Sequence, residues 1–511
     1  MRPILAAAAR ALGTDMDSVG WLEAGLLPAD ALRRFPYEEH PLNIALVLRM
    51  AKDIGVDEDF ALREMADRVV PDIGVLKAYP VTAIRGRRLQ FVMGNSANEK
   101  FGALGNWRRM DFDKHDAYVK PGVLLTAVVN NRADRVPRSR VFADLLVNDI
   151  SLDLIVLIGS NLKGMQGYID EALDVRVGEA TLWPETQPET SGPRDVFEAA
   201  ARNLRIAYRD QDVAERLRAM LEGLPAVIDI DTLVARRDNP EDLMSVLSAA
   251  DVADAGEVVR YLAEMQQTVQ EYSALDVLIE KGGDRAALDR AFREQIKQWF
   301  RRKITVVADF HASGDKVIDV LREVTPPGMF NRTIGMQNIK GTGLDFVYRW
   351  QAWETVYLAC ENAESGDPLV AAEGLQTLQI FQEFGIASEE RVRATVSRLR
   401  AIEGEKPVPQ LDLIMASLEE QLAKVRQGMT VARSGGRMDW IVASLEGFLD
   451  AGDAVRRRKK ADRIYRDMIT ERISHERAAL ELKQLNSRQK GGWLSDEIAK
   501  LTQLLRRKSK V

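Results

Sequence analysis

Three short runs of nearly continuous apolar residues stand out in the first third of the chain: FVMGN (91–95), VLLTAVVNN (123–131) and LDLIVLIGS (152–160). Gly, Asn or Ser closes each run. A strand buried on both faces has no polar face to display, so such runs predict strands of a parallel sheet. Amphipathic stretches at 40–54, 57–69 and 138–147 predict helices before and between them. Strand and helix in alternation predict an α/β domain over residues 1–185, with ligands held where strands end and loops begin.

The pattern changes near residue 185. LWPETQPETSGPRD (182–195) carries three prolines and predicts a linker over 186–195. Beyond it, the stretches 196–221, 242–272, 285–302, 388–403, 411–426 and 439–489 space their apolar residues as helices do. They predict a mainly helical domain over 196–435 and basic C-terminal helices over 436–511. No period marks a repeat architecture. At the N-terminus, Arg10 and Asp15 interrupt MRPILAAAARALGTD, which reads as an amphipathic helix of an unprocessed chain rather than a secretion signal.

Composition narrows the function classes. With 46% hydrophobic and 29% charged residues among 511, the chain is a folded protein of two or three domains. A single cysteine, Cys360, forbids an internal disulfide and reads as a small buried hydrophobe in a reducing compartment. His40, His115, His311 and His475 lack metal-ligand spacing, so no metal site is expected from the chain's own histidines. Net charge is −6, which gives no general case for nucleic acid or anionic lipid. Only residues 451–511 are basic, with 17 Lys plus Arg against 8 Asp plus Glu and RRRKK at 456–460, and a solvated helix face accounts for them. A cytoplasmic location follows, with membrane association only through partners.

The predicted strand ends carry the candidate chemistry. The first empties into GNSANEKFGALG, with Asn95, Ser96, Asn98 and Lys100. The second empties into NNRADRVPRS, where Asn130 and Asn131 precede Arg132, Arg135 and Arg138, with Asp134 among them. Guanidinium forks suit carboxylate or phosphate oxygens, and an aspartate can orient them. The third empties into GSNLKGMQG, with Ser160, Asn161 and Lys163 beside glycines that let the backbone approach an anion. Three such loops on one rim predict an anionic ligand; no residue is singled out as catalytic. A further segment, PPGMFNRTIGMQNIKGTGLDFVYRWQAWE (326–354), offers Arg332 and Lys340 as a second anion site. Its Phe346, Trp350 and Trp353 equally fit an ordered loop leading into a core helix.

The stretch HPLNIALVLRMAKDIGVDEDFALREM resembles the helix pair opening the C-terminal domain of Mur-type amide ligases. VMGNSANEKFGAL, VVNNRADRVPRSRVFADLL and LIVLIGSNLKGM resemble the strand–loop segments that follow, most closely those of the poly-γ-glutamate synthase ligase subunit, a Mur-ligase relative. Over about residues 35–180 the resemblance implies a Rossmann-like Mur-ligase C-terminal domain. It also implies ATP-dependent ligation of an acid to an amino acid such as glutamate, through an acyl-phosphate, with Mg. Asn95 and Asn98 would then approach nucleotide or acyl-phosphate, Arg132 and Arg135 would hold phosphate or the incoming carboxylate, and Ser160 with Asn161 would line the amino-acid site. The sequence contains no G-x-x-x-x-G-K-[ST] phosphate cradle. A P-loop ATPase domain or subunit is therefore the expected partner, with an acidic polymer or a second copy as further partners. The alternative is a non-catalytic helical scaffold carrying a ligase-derived anion-binding domain.

Overall fold

A computed structural model describes residues 2–14, 16–69, 71–184, 192–252, 254–309, 312–403 and 409–431. The basic run at 456–460, the predicted helices of 436–511, linker residues 186–191, His311 and His475 lie outside the described residues. The chain begins with five helices: α1 (Arg2–Ala11), α2 (Trp21–Gly25), α3 (Ala29–Arg33), α4 (Pro41–Asp53) and α5 (Glu58–Arg68). The periodicity at 40–54 and 57–69 thus yields α4 and α5. Asp57 caps α5 by accepting from the Phe60 N–H at 2.9 Å. Ala31, Phe35, Ile44, Leu48, Leu62 and Ala66 form a small core between α3, α4 and α5.

Among the described residues seven strands follow: β1 (Lys77–Ala78), β2 (Thr82–Ile84), β3 (Arg87–Met93), β4 (Val123–Asn131), β5 (Leu154–Gly159), β6 (Ile304–Val306) and β7 (Phe330–Met336). They make one sheet in the order β1-β3-β7-β4-β5-β6, with β2 also paired to β3. β3, β7, β4, β5 and β6 run parallel, and β1 and β2 join antiparallel. The three apolar runs became β3, β4 and β5. Alternate residues of β5 serve opposite faces: Ile155 and Leu157 one way, Val156 and Ile158 the other.

Helices cover both faces. On the first lie α6 (Lys100–Arg109), α7 (Val136–Asn148), α8 (Leu162–Glu179), α9 (Pro193–Asn203) and α14 (Arg285–Arg302), through residues such as Trp107, Phe142, Met165, Phe197 and Trp299. On the second lie α15 (Gly314–Val324), α16 (Thr342–Ala363), α17 (Pro368–Ile380), α18 (Glu389–Glu403) and α19 (Pro409–Val431). The remaining helices, α10 (Asp210–Glu222), α11 (Ile230–Ala235), α12 (Pro240–Ala249) and α13 (Ala255–Lys281), share a third core that reaches Leu124 and Met329 at the N-terminal ends of the central strands β4 and β7. Arg87, fully buried at the start of β3, ties this layer to the sheet by pairing with Asp254 at 2.8 Å and with Glu257.

The expected boundary at residue 185 does not separate an α/β domain from a helical one. β6 and β7 come from the second half of the chain, and β7 lies in the middle of the sheet between β3 and β4. Residues 330–336, where the sequence suggests an ordered loop or an anion site, are strand. Their polar members hid it: buried Asn331 donates to Thr325 Oγ1 at 2.8 Å and accepts from Thr333 Oγ1 at 3.1 Å. Polar residues satisfied within the sheet leave no apolar run to read. The predicted helices 196–221 and 242–272 are each broken in two, giving α9 with α10 and α12 with α13. The aromatics of α16 are core, as one reading of that segment had it: Phe346 meets Phe91 edge-on at 4.7 Å. Cys360 is buried among them, and burial pushes its thiol pKa up. No helix among the described residues is long and apolar enough to cross a membrane.

Candidate functional site

After β4 the chain turns to α7 on the first face, and after the neighbouring β7 it turns to α16 on the second. Loops that leave adjacent parallel strands in opposite directions open a crevice at the strands' C-terminal ends. Here that crevice lies between loops 132–135 and 337–341. Five helices, α6, α7, α8, α15 and α16, begin just past a strand end, so their positive N-terminal ends face the same rim. Glu99 caps α6 and Ser313 caps α15, whereas α7, α8 and α16 begin without a side-chain cap. Uncapped first-turn N–H groups suit an anionic ligand.

Beneath the rim, five carboxamides from three strand ends lock together. Asn95, after β3, donates to the carbonyls of Met336 and Asn338 at 3.0 and 2.9 Å. Asn130 donates to those of Asn338 and Lys340 at 3.0 and 2.8 Å, and Asn338 donates back to the Asn130 carbonyl at 3.0 Å. Asn131 donates to Ser160 and Asn161 carbonyls at 2.8 and 3.2 Å and accepts from Ser139 Oγ at 2.6 Å. Gln337, at φ +80°, donates to Asn131 Oδ1 and Ser139 Oγ, both at 3.1 Å. All five are buried. The fit is close at Gly335, where a Cβ would lie 2.0 Å from Asn95 Oδ1.

This lattice reassigns part of the expected site. Asn95, Asn130 and Asn131 hold loops in place rather than facing solvent, because each spends its amide on main-chain carbonyls. Ser160 accepts from the Ala133 N–H at 3.0 Å and so braces the arginine loop. Lys100 is drawn away by Asp144 and Asp149, at 2.9 and 2.7 Å. Both bonds raise its ammonium pKa. Gln337 and Asn338 were not anticipated, since the strand that carries them was not. The sequence signal that could have found them is the recurrence of Asn and Gln after each strand.

The arginines remain on the rim. Arg132 grips Asp134 with two bonds, Nε to Oδ1 at 3.0 Å and Nη2 to Oδ2 at 2.8 Å. Arg135 approaches the same carboxylate at 3.6 Å and is exposed. Arg138 donates to Asn338 Oδ1 at 2.8 Å. Burial, then the nearby charges of Arg135 and Arg132, lower the pKa of the Arg138 guanidinium. Three guanidinium groups therefore crowd one carboxylate at the uncapped start of α7. Ser96, Asn98, Asn161 and Lys340 are exposed on loops of the same rim, and Lys163 is exposed in the first turn of α8.

Arg332 and Lys340 do not share a site. Arg332 sits inside β7, bonded to Gln90 Oε1 at 3.2 Å, donating to His115 Nε2 at 3.0 Å and stacked 4.7 Å from the centre of the Phe112 ring. Lys340 lies past the strand's end, where it adds charge to the rim. A strand keeps residues eight positions apart well separated. Among the described residues no group of three His, Cys, Asp or Glu could hold a metal ion.

Residues 78–214 match the family model of the poly-gamma-glutamate synthase CapB C-terminal domain. The chain is also 32% identical over 132 residues to PGA synthase CapB of Bacillus subtilis, covering 26% of this chain and 32% of that protein. To the capsule biosynthesis protein CapB of Bacillus anthracis it is 33% identical over 128 residues, covering 25% and 26% respectively. The chain thus spans about a third or less of the curated relatives it matches. No solved structure matches it. The family match takes in β3, β4 and β5 with the whole arginine loop, and stops before β6 and β7. The helix pair at 40–65 also lies outside it.

Proposed function

We propose that the rim binds the acidic substrate of an ATP-dependent amide ligase of the poly-γ-glutamate synthase kind, the chain acting as the C-terminal, substrate-positioning part of a Mur-type ligase. The observation that carries this reading is the cluster of Arg132, Arg135 and Arg138 around Asp134 at the uncapped N-terminus of α7, inside the span similar to the synthase family. Glutamate, or the end of an acidic polymer, presents the carboxylates that such forks recognise. Arg132 and Arg135 hold a carboxylate or phosphate oxygen, and the first N–H groups of α7 and α8 take part of the charge. Asp134 yields its arginines to the ligand and can receive the substrate's ammonium group.

ATP supplies the phosphoryl group that activates the acyl carboxylate for attack by the amine. The rim fits the anionic end of such a species, through arginines and helix N-termini. It offers no carboxylate set for Mg among the described residues, so no step is assigned to the metal on this chain. The nucleotide and Mg are held with a P-loop domain or subunit, and this chain's groups fix the second substrate and exclude water from it.

A second reading, a non-catalytic anion-binding scaffold, draws support from the carboxamide lattice, which spends Asn95, Asn130 and Asn131 on holding the fold. Isothermal titration with glutamate and with Mg-ATP, on the parent chain and on Arg132→Ala and Arg135→Ala, tests the binding claim. Glutamate binding weakened about tenfold or more in each variant is the expected result. Equal affinity in all three removes the rim as the acid site. Amide formation from glutamate when a P-loop partner and Mg-ATP are added separates ligase from scaffold.

A further inference from the structure

At the opposite end of the sheet from the rim, beside the start of β5, lie two cavities of about 190 and 340 Å³. Arg176, Asn203, Leu204 and Phe300 wall both, so the two adjoin. The smaller is lined by charged and polar groups, among them Arg176, Lys303, Asp149, Asn148 and Ser151, together with apolar side chains such as Leu152 and Phe300. The larger is lined mostly by apolar side chains, including Leu173, Val177, Val196, Phe292 and Ile296.

Neither cation forms a salt bridge among the described residues; both donate to main-chain carbonyls. Lys303 is 8% exposed and donates to the Leu152 carbonyl at 2.7 Å and to that of Leu204. An ammonium has three N–H donors, so one remains for the cavity. Arg176 donates to the Val147 carbonyl, leaving further donors of its guanidinium. Three carboxylates lie nearby: Glu179, exposed, lines the larger cavity, while Asp149 and Asp153 are engaged. Asp149 binds Lys100 at 2.7 Å; Asp153 accepts from Arg205 at 2.9 Å and from the Leu125 N–H at 2.8 Å. Burial lowers the Lys303 ammonium to a pKa of about 7, with Arg205, Arg216 and Arg176 adding to the effect and Asp153 opposing it. A buried region with surplus positive charge is stabilised by an anion that supplies the missing partner.

We propose that the paired cavities bind an amphipathic organic acid, its carboxylate between Arg176 and Lys303 and its short apolar chain in the larger cavity. A charged head alone would leave the apolar cavity unused, and an apolar molecule alone would leave the cations unpaired. This site is independent of the rim and of the ligase reading.

The test is isothermal titration of the full chain with octanoate, acetate and inorganic phosphate. Octanoate is expected to bind at least tenfold tighter than acetate or phosphate. Arg176→Gln, at a half-buried position, is expected to weaken octanoate tenfold or more, while Arg260→Gln, an exposed change outside both linings, leaves it unaltered. Ala200→Leu narrows the larger cavity and is expected to erase the advantage of octanoate over acetate, with circular dichroism reporting the intact fold. No octanoate binding, or equal affinity in the parent and Arg176→Gln, overturns the proposal. Acetate or phosphate binding as tightly as octanoate also overturns it, and identifies a simple small-anion site instead.

Discussion

Asn130 and Asn338, 208 residues apart in the chain, each donate a side-chain hydrogen bond to the other's main-chain carbonyl, both at 3.0 Å. The exchange fastens the loop after β7 to the end of β4 and fixes the width of the crevice on which the rim depends. Neither residue has water to fall back on, since both are buried.

Asn130→Asp keeps the shape but turns a donor into an acceptor facing the Asn338 and Lys340 carbonyls. It is expected to cost about 3 kcal/mol or more at neutral pH, and less once the new carboxyl is protonated. Urea denaturation at pH 7 and near pH 4 measures both. Equal stability of variant and parent at pH 7 would show that the pair carries no weight.

Arg87 presents a different case, a buried cation held by two carboxylates, Asp254 and Glu257. Arg87→Met removes the cation and strands both acids at the edge of the α10–α13 layer. A loss of about 3–5 kcal/mol is expected. Chemical denaturation gives the number, and a loss below about 1 kcal/mol would contradict the assigned role.

Asp315, at the start of α15, accepts from the Ile386 N–H at 3.0 Å in a buried setting that also contains Arg349, Asp345 and Asp319. Burial raises its pKa from 3.8 to about 6. The folded chain therefore holds this proton more tightly than the unfolded chain does. Its contribution is present in full below about pH 4 and is lost as pH rises through about 6, amounting to up to about 3 kcal/mol. Asp315→Asn should flatten that part of the stability–pH curve. An unchanged slope between pH 4 and 6 would rule out Asp315 as its source.

Asp134 competes with any anionic ligand for Arg132 and Arg135. Asp134→Asn is expected to raise affinity for inorganic phosphate several-fold, with a steeper loss of binding as salt increases, because this exposed charge cluster is screened. Titration at two ionic strengths reads both effects. If phosphate affinity falls, Asp134 orders the arginines for the ligand rather than blocking them.

β3, β4 and β5 were legible because strands buried on both faces are mostly apolar on both, and Val123–Asn131 is buried along nearly its whole length. Helices α4, α5, α7 and α14 were legible because their apolar spacing follows the helical turn. β7 was not, because Asn331, Arg332 and Thr333 satisfy one another or nearby side chains inside the sheet and so break the apolar run. The arginine loop was visible as a motif after a strand. The fate of Asn95, Asn130 and Asn131 was not, since the carbonyls that accept from Asn95 and Asn130, and the Gln337 amide that donates to Asn131, lie more than 200 residues away on β7 and the loop after it.

The sequence by itself determined the identity of three central strands, the helices that flank them and the concentration of arginine after β4. These are local consequences of side-chain periodicity and residue chemistry. Only the tertiary structure decided that residues 330–336 complete the sheet's centre, that the strand-end asparagines brace the crevice, and that Arg176 and Lys303 meet beside a cavity. Hydrogen-bond satisfaction and charge pairing depend on which distant segments come together, and no local pattern encodes that.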